Sequence, residues 1–199
     1  MDLRGGGSGA GTDVDAANAQ RAGRVVAVSA ALGSLMQGYD TGVIGGALLF
    51  ITPEFGLDAK PLLQGLIVTA TTVGSVGGTL AASKLSEAFG RRGTMLLASA
   101  KFVTAALLLV SAPGVAALIA GRLLMGMAIG EASSVVPIYI AECADKRNRG
   151  ALATIPQLCI SSGILMAYSV SLAITLFFKG AWRLMLGFAL VPALAQVGR

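Results

Sequence analysis

Two residues of opposite charge lie inside long apolar runs of this sequence. Asp40 lies between Gly38 and Gly42 in the first run, and Arg122 opens a later one. A charge in apolar surroundings is costly unless it is paired, so Arg122 is the expected partner of Asp40 if the two segments face each other. Burial and a nearby cation shift the pKa of a carboxylate in opposite directions, so Asp40 could bind and release a proton. Alternatively, Asp40 accepts a structural hydrogen bond and Arg122 extends to the nearer surface.

Lys101 and Glu131 also interrupt apolar runs. Lys101 lies seven residues into its run, about 10 Å along a helix, and we expect its ammonium to extend to the surface as a structural group. Glu131 follows Arg122 by nine residues and lies about 180° away at 100° per residue. The two cannot pair on one helix face, so Glu131 either lines a cavity or contacts another helix.

The composition indicates a membrane protein. Of the 199 residues, 55% are hydrophobic and 13% are charged, whereas soluble domains have about 25% charged residues. The chain has no His and two Cys, which argues against a Ser-His-Asp triad, a zinc cluster and a disulfide framework. We therefore expect no enzyme activity, no metal site and no cofactor.

Six apolar runs follow a polar start. Residues 1–23 contain no apolar run and are expected to form a disordered cytoplasmic tail. About 20 apolar residues cross a bilayer, and the short connections make neighbouring helices antiparallel in a compact bundle. The predicted spans are Val25–Phe50, Leu62–Ser83, Thr94–Ser111, Val115–Ile140, Ala151–Phe178 and Trp182–Val197.

The basic residues orient this bundle. With a cytoplasmic N-terminus, ten Lys and Arg residues lie on the cytoplasmic side and three on the other, which follows the positive-inside rule. The C-terminus is then cytoplasmic too. This distribution explains the pI of 9.6 without nucleic acid, because no basic stripe with interleaved aromatic residues occurs. The lipid bilayer is the expected partner.

Several motifs in order resemble the sugar porters of the major facilitator superfamily. The resemblance covers residues 24 to about 194 and implies an all-α membrane protein, the six-helix N-terminal bundle of a twelve-helix transporter. Residues 24–199 are then a six-span N-domain that ends in or just after span six. The matching stretches are Gly38–Ile44, Glu87–Arg92, Gly121–Gly126, Pro137–Glu142 with Arg149-Gly150, Pro156–Leu158 with Gly163–Leu165, and Trp182–Gly187.

The resemblance also implies roles for single residues. Asp40 matches the carboxylate that titrates in proton-coupled members, and Arg122 matches the arginine that tunes it. Gln157 matches a glutamine that bonds sugar hydroxyls, and Ile164 lies further along the same cavity. A charged motif closes the cytoplasmic gate, although positive-inside topology alone also accounts for its charges. This motif comprises Glu87, Gly90, Arg91, Arg92, Glu142 and Arg149.

The sequence departs from the family at three points. Glu87 stands where Asp is usual. Gln37 stands where an aromatic residue is frequent in the family, and glutamine at this position resembles the vacuolar monosaccharide carriers of plants. The second half of the family's fold is absent. We expect the N-terminal half of a proton-coupled, alternating-access transporter of a monosaccharide or polyol, in the plasma or vacuolar membrane, that requires a C-terminal half. The alternative is a truncated, non-transporting membrane protein that associates with or regulates a full-length carrier.

Overall fold

The chain is α-helical in the computed structural model. The structure describes the backbone of residues 9–143, 149–177 and 182–190, and side chains within 31–91, 93–138, 154–177 and 182–190. Over these residues it contains five helices and no strand. The helices are α1 (Gly9–Glu54), α2 (Pro61–Val110), α3 (Val115–Cys143), α4 (Arg149–Phe177) and α5 (Trp182–Gly187).

A kink divides α2 into two parts. Gly90 has φ +71° and ψ 171°, a conformation that is essentially restricted to glycine. The kink separates a first segment of α2, which begins at Pro61, from a second segment, which ends at Val110. With this division the described chain has six helical segments in the predicted order. The predicted fold class, an all-α membrane bundle, agrees with this architecture.

The N-terminal part of α1 differs from the expectation. The helix begins at Gly9, so residues 9–23 are helical where a disordered tail was expected. This segment is polar but rich in alanine, the residue with the highest helix propensity, and a search for apolar runs does not detect such a helix. At the other end, α5 covers Trp182–Gly187 of the predicted sixth span, and residues 191–199 lie outside the described chain.

Four helical segments within the described residues are long and apolar enough to cross a membrane. They are Pro61–Arg91, Gly93–Val110, Val115–Ile138 and Thr154–Phe177. Over its described residues α1 is not among them, because Gln37, Asp40 and several glycines reduce its apolar content. Helix α1, which carries the candidate carboxylate, is therefore less apolar over its described residues than these four segments.

Helix α1 packs on α4 with the two backbones in contact. A Cβ added to Gly38 would lie 2.0 Å from the Ile160 carbonyl oxygen, and one added to Gly163 would lie 2.2 Å from the Leu35 carbonyl oxygen. Only glycine permits this approach on both helices. The contact brings the polar positions of α1 close to α4.

The first segment of α2 packs on α3 in the same way. A Cβ added to Gly126 would lie 2.0 Å from the Thr71 carbonyl oxygen, and one added to Gly78 would lie 2.1 Å from the Met127 carbonyl oxygen. Gly74 and Gly130 make equally close approaches. Small residues four apart thus form one continuous helix–helix contact, which fixes the distance between α2 and α3.

The ends of three helices meet at one end of the bundle. Glu54, the last residue of α1, accepts hydrogen bonds from the Trp182 indole and from Arg183 Nη1, the latter at 3.1 Å. Arg183 Nη2 also donates to the Ala112 carbonyl oxygen at 3.3 Å, in the turn between α2 and α3. The end of α1, this turn and the start of α5 therefore lie together, as antiparallel neighbours require.

Candidate functional site

The centre of the candidate site is an ion pair between α1 and α3. Arg122 Nη1 donates to Asp40 Oδ1, and the two residues are 2% and 3% exposed. Arg122 Nε is buried without a hydrogen-bond partner among the described residues. Removing one member of a buried pair costs about 3–5 kcal/mol, because the other charge loses its compensation. The structure thus makes Asp40 and Arg122 mutually dependent.

Tyr39, next to Asp40 on α1, contacts the α5 region. Its hydroxyl donates to the Met185 carbonyl oxygen at 2.7 Å, and its ring centroid lies 6.1 Å from that of Phe188. Tyr39 is therefore tied to the α5 region, while the adjacent Asp40 is bonded to α3. Sequence reasoning missed this anchor, although a buried tyrosine hydroxyl generally requires a partner.

A cavity of about 200 Å³ opens where α1, α3 and α4 meet. At its wall Ser133 Oγ donates to Gln37 Oε1 at 2.9 Å. Pro137 has no N–H, so the Ser133 carbonyl lacks its helical donor. Hydroxyl, amide and carbonyl groups together can donate to and accept from a polar ligand. The cavity is lined by Gly33, Ser34, Gln37, Ile129, Ala132, Ser133, Val136, Pro137, Pro156 and Ile160.

The two predicted sugar contacts lie on one face of α4. Gln157 is exposed, and Ile164 is half-buried, two turns further along. The Ile164 backbone packs at Gly42, where an added Cβ would lie 3.1 Å from the Ile164 carbonyl oxygen. The cavity is lined by their neighbours Pro156 and Ile160. The structure therefore places Gln157 and Ile164 beside the cavity rather than in its described lining.

Part of the predicted cytoplasmic gate lies in the described chain. Arg91 Nη1 donates to Ser86 Oγ at 2.6 Å, and the Ser83 hydroxyl lies 3.5 Å from the Glu87 carboxylate. Gly90 forms the kink between Glu87 and Arg91. The side chains of Arg92, Glu142 and Arg149 lie outside the described residues, so the arrangement of the gate as a whole stays a prediction.

A second buried ion pair joins the second segment of α2 to α3. Lys101 Nζ donates to Glu131 Oε1, and Glu131 is fully buried. The expectation that Lys101 extends to the surface is wrong, because a buried carboxylate within reach provides a stronger partner. The sequence held part of this signal, because Glu131 cannot pair with Arg122 and Lys101 is the other cation in an apolar run. Only the packing of α3 shows that the two side chains meet. No His, Cys, Asp or Glu cluster in the described chain could hold a metal ion.

Apolar helices in backbone contact, interhelical ion pairs and a mostly apolar cavity with a few polar groups define a multi-pass α-helical membrane protein. The sequence comparisons identify its kind. Residues 26–198 match the family model described as "Sugar (and other) transporter". The chain belongs to this sugar porter family of the major facilitator superfamily, as the motifs predicted. Members of the family are transporters rather than enzymes.

Named relatives occur in bacteria, plants and animals. The human proton myo-inositol cotransporter is 45% identical over 172 residues, which are 86% of this chain and 26% of that protein. The D-xylose transporter of Levilactobacillus brevis is 42% identical over 163 residues, 82% of this chain and 35% of that one. The chain therefore spans about a quarter to a third of these relatives.

Solved structures agree in fold. The proton:xylose symporter XylE, bound to 6-bromo-6-deoxy-D-glucose, superposes with a TM-score of 0.82 at 26% identity, over 88% of this chain and 43% of that one. The partially occluded, inward-open form of XylE from E. coli gives a TM-score of 0.81 at 26% identity, over 88% and 48%. The fold is thus the N-terminal six-helix part of a major facilitator transporter.

Proposed function

We propose that this chain forms the N-terminal half of a proton-coupled transporter for a monosaccharide or polyol. The observation that carries the proposal is the buried Asp40–Arg122 pair between α1 and α3. Support for the substrate class comes from relatives named as D-xylose, glucose and inositol transporters. Support for proton coupling comes from the human proton myo-inositol cotransporter and the proton:xylose symporter XylE.

The ion pair offers a direct route from proton binding to helix movement. While Asp40 is ionised, its attraction to Arg122 holds α1 against α3. A proton on Asp40 removes that attraction and leaves the buried guanidinium charge uncompensated, although the neutral carboxyl can still accept a hydrogen bond. Water or another acceptor then competes for Arg122, which loosens the contact between the two helices. Proton binding would thereby favour a different arrangement of α1 and α3.

The sugar would bind beside this pair, in the cavity between α1, α3 and α4. Its wall already carries the Gln37 amide and the Ser133 hydroxyl, and Gln157 is exposed on the adjoining face of α4. An amide donates to one hydroxyl and accepts from another, which suits a polyhydroxylated ligand. Ile164 would supply apolar contact to the sugar ring. The remaining wall would come from a C-terminal half, and rocking of the two halves would alternate access.

The charged residues around Gly90 would close the cytoplasmic side. Glu87 and Arg91 flank the kink, and Arg92, Glu142 and Arg149 belong to the same motif. Carboxylates and guanidinium groups on short connections can form bidentate pairs. Such pairs would form when the halves meet on that side and break when they separate.

A chimeric carrier tests the proposal. In this carrier the chain is followed by the C-terminal half of the Levilactobacillus brevis D-xylose transporter. The purified protein is reconstituted in vesicles with an alkaline interior, and uptake of labelled D-xylose, D-glucose and myo-inositol is measured. We expect at least one to accumulate above its external concentration and to leave when a protonophore is added. Uptake that only equilibrates contradicts proton coupling. A folded chimera that binds no sugar, while the chain alone associates with a complete carrier, would instead indicate a non-transporting partner.

A further inference from the structure

The second ion pair of the bundle lies outside the motifs that identify the family. Lys101 lies in the second segment of α2 and Glu131 in α3, outside the stretches that carry the resemblance. Glu131 is 0% exposed, and the Lys101 side chain is 23% exposed. Glu131 Oε2 is buried with no hydrogen-bond partner among the described residues. The pair is therefore only partly satisfied.

Such a pair is poorly suited to stabilising the fold. Desolvating two charges offsets most of their attraction, and well-packed apolar residues in their place are often as stable or more so. The unpartnered Oε2 adds a further penalty. The best-attested use of buried charges is to select one arrangement of packed elements over its neighbours.

The position of Glu131 on α3 indicates that the arrangement selected is the rotation of this helix. Arg122 and Glu131 are nine residues apart and lie on opposite faces of α3, about 14 Å apart along its axis. Arg122 is bonded to α1, and Glu131 is bonded to the second segment of α2. Helix α3 is thus held from both sides by charges. A rotation that moves Glu131 away from Lys101 also moves Arg122 away from Asp40.

The glycine contact between α2 and α3 limits this rotation but leaves its fine setting to the ion pairs. It brings the helices close through Gly74, Gly78, Gly126 and Gly130. The glycines provide no side chains that interlock, and the one interhelical side-chain hydrogen bond in this described contact is that of Thr79 Oγ1 to the Gly130 carbonyl oxygen, at 3.4 Å. This close approach blocks large rotations, because they would bring a Cβ against a facing carbonyl oxygen. Within the range that remains, no interlocking side chains fix the rotation of α3.

We propose that the Lys101–Glu131 pair fixes the rotation of α3 within the range that the glycine contact allows, and so holds Arg122 against Asp40. Both residues are positioning residues and neither contacts the substrate. The importance of this alignment for transport rests on the proposed function. The alignment itself is a property of the helices and can be measured without transport.

Cross-linking between α1 and α3 measures this alignment in the 199-residue chain in membrane vesicles. Gln37→Cys and Ser133→Cys place two thiols where the native side chains are 2.9 Å apart, after Cys143→Ser and Cys159→Ser remove the native thiols. The rate of coupling by a short bifunctional thiol reagent is compared among three proteins: the parent, Lys101→Met with Glu131→Met, and the charge exchange Lys101→Glu with Glu131→Lys. Thr79→Val is the matched control, since it removes an uncharged contact to α3.

We expect the neutral double variant to insert normally but to cross-link about fivefold more slowly than the parent, which is the lower end of typical site-to-site coupling. The charge exchange restores the parent rate, and Thr79→Val leaves it unchanged. A neutral variant that cross-links at the parent rate overturns the proposal. A folded charge-exchange variant that does not restore the parent cross-linking rate also overturns it. A neutral variant that fails to fold overturns it too, because the pair would then act in folding. If the expected pattern holds but a pH gradient drives no uptake by the chimeric carrier, the positioning stands and the proton coupling fails.

Discussion

Arg122 of α3 donates to the carboxylate of Asp40 in α1, 82 residues earlier in the chain, and both side chains are buried. The two charges compensate each other inside a bundle whose other contacts are mostly apolar. Because Tyr39 is tied to α5 and Glu131 to α2, the helices that carry this pair are also held from their other sides. The pair therefore lies at the junction of α1 and α3, where a change of charge would have most effect on their packing.

The glycine contact between α2 and α3 predicts opposite effects for two neighbouring residues. A Cβ at position 78 would lie 2.1 Å from the Met127 carbonyl oxygen, whereas one at Gly77 meets nothing within 4 Å. We expect Gly78→Ala to lower the free energy of unfolding by about 1–3 kcal/mol, as for overpacking. Gly77→Ala should raise it by about 0.5–1 kcal/mol through helix propensity. Denaturation in detergent measures both, and equal stability of the two variants would contradict the contact.

The kink at Gly90 predicts that a substitution there lowers stability through backbone strain alone. An added Cβ there meets nothing within 4 Å, but φ is +71° and ψ is 171°. Gly90→Ala should lower the free energy of unfolding by about 1–3 kcal/mol. Gly65→Ala, which also adds a Cβ in open space on α2 but at an ordinary φ, is the control. A Gly90→Ala variant as stable as Gly65→Ala would show that the kink is not required.

The exposed amide of Gln157 predicts a loss of sugar affinity. Removing it leaves sugar hydroxyls unpaired in the site that a C-terminal half would enclose, at a cost of about 1–3 kcal/mol, or roughly 5- to 150-fold in Kd. The measurement is sugar binding to purified, folded Gln157→Ala chimeric carrier. Ser169→Ala is the control on the same helix, since its hydroxyl bonds to the Leu165 carbonyl oxygen of its own helix. An unchanged Kd for Gln157→Ala would remove Gln157 from the site.

Apolar runs and charge matching predicted most of this architecture. The runs located the helical segments because bilayer thickness sets their length, and the need to compensate Asp40 pointed to Arg122. Lys101 was harder, because its long side chain can reach either a surface or a buried carboxylate, and only the packing of α3 decides between them. The helix at residues 9–23 has no apolar face to reveal it. The Tyr39 anchor depends on where α5 lies, which no local pattern contains.

The most direct test of the central claim is concentrative uptake by the Asp40→Asn variant of the chimeric carrier. Asparagine keeps the shape of the side chain and can still accept from Arg122, but it cannot take up a proton. Vesicles with an alkaline interior are used, and sugar accumulation and sugar exchange are both measured per folded protein. Asp58→Asn, which neutralises an exposed carboxylate in the connection after the same helix, is the control. We expect Asp40→Asn to abolish accumulation above the external concentration while exchange continues, and Asp58→Asn to keep both. Undiminished accumulation by Asp40→Asn would contradict the assignment of proton coupling to Asp40.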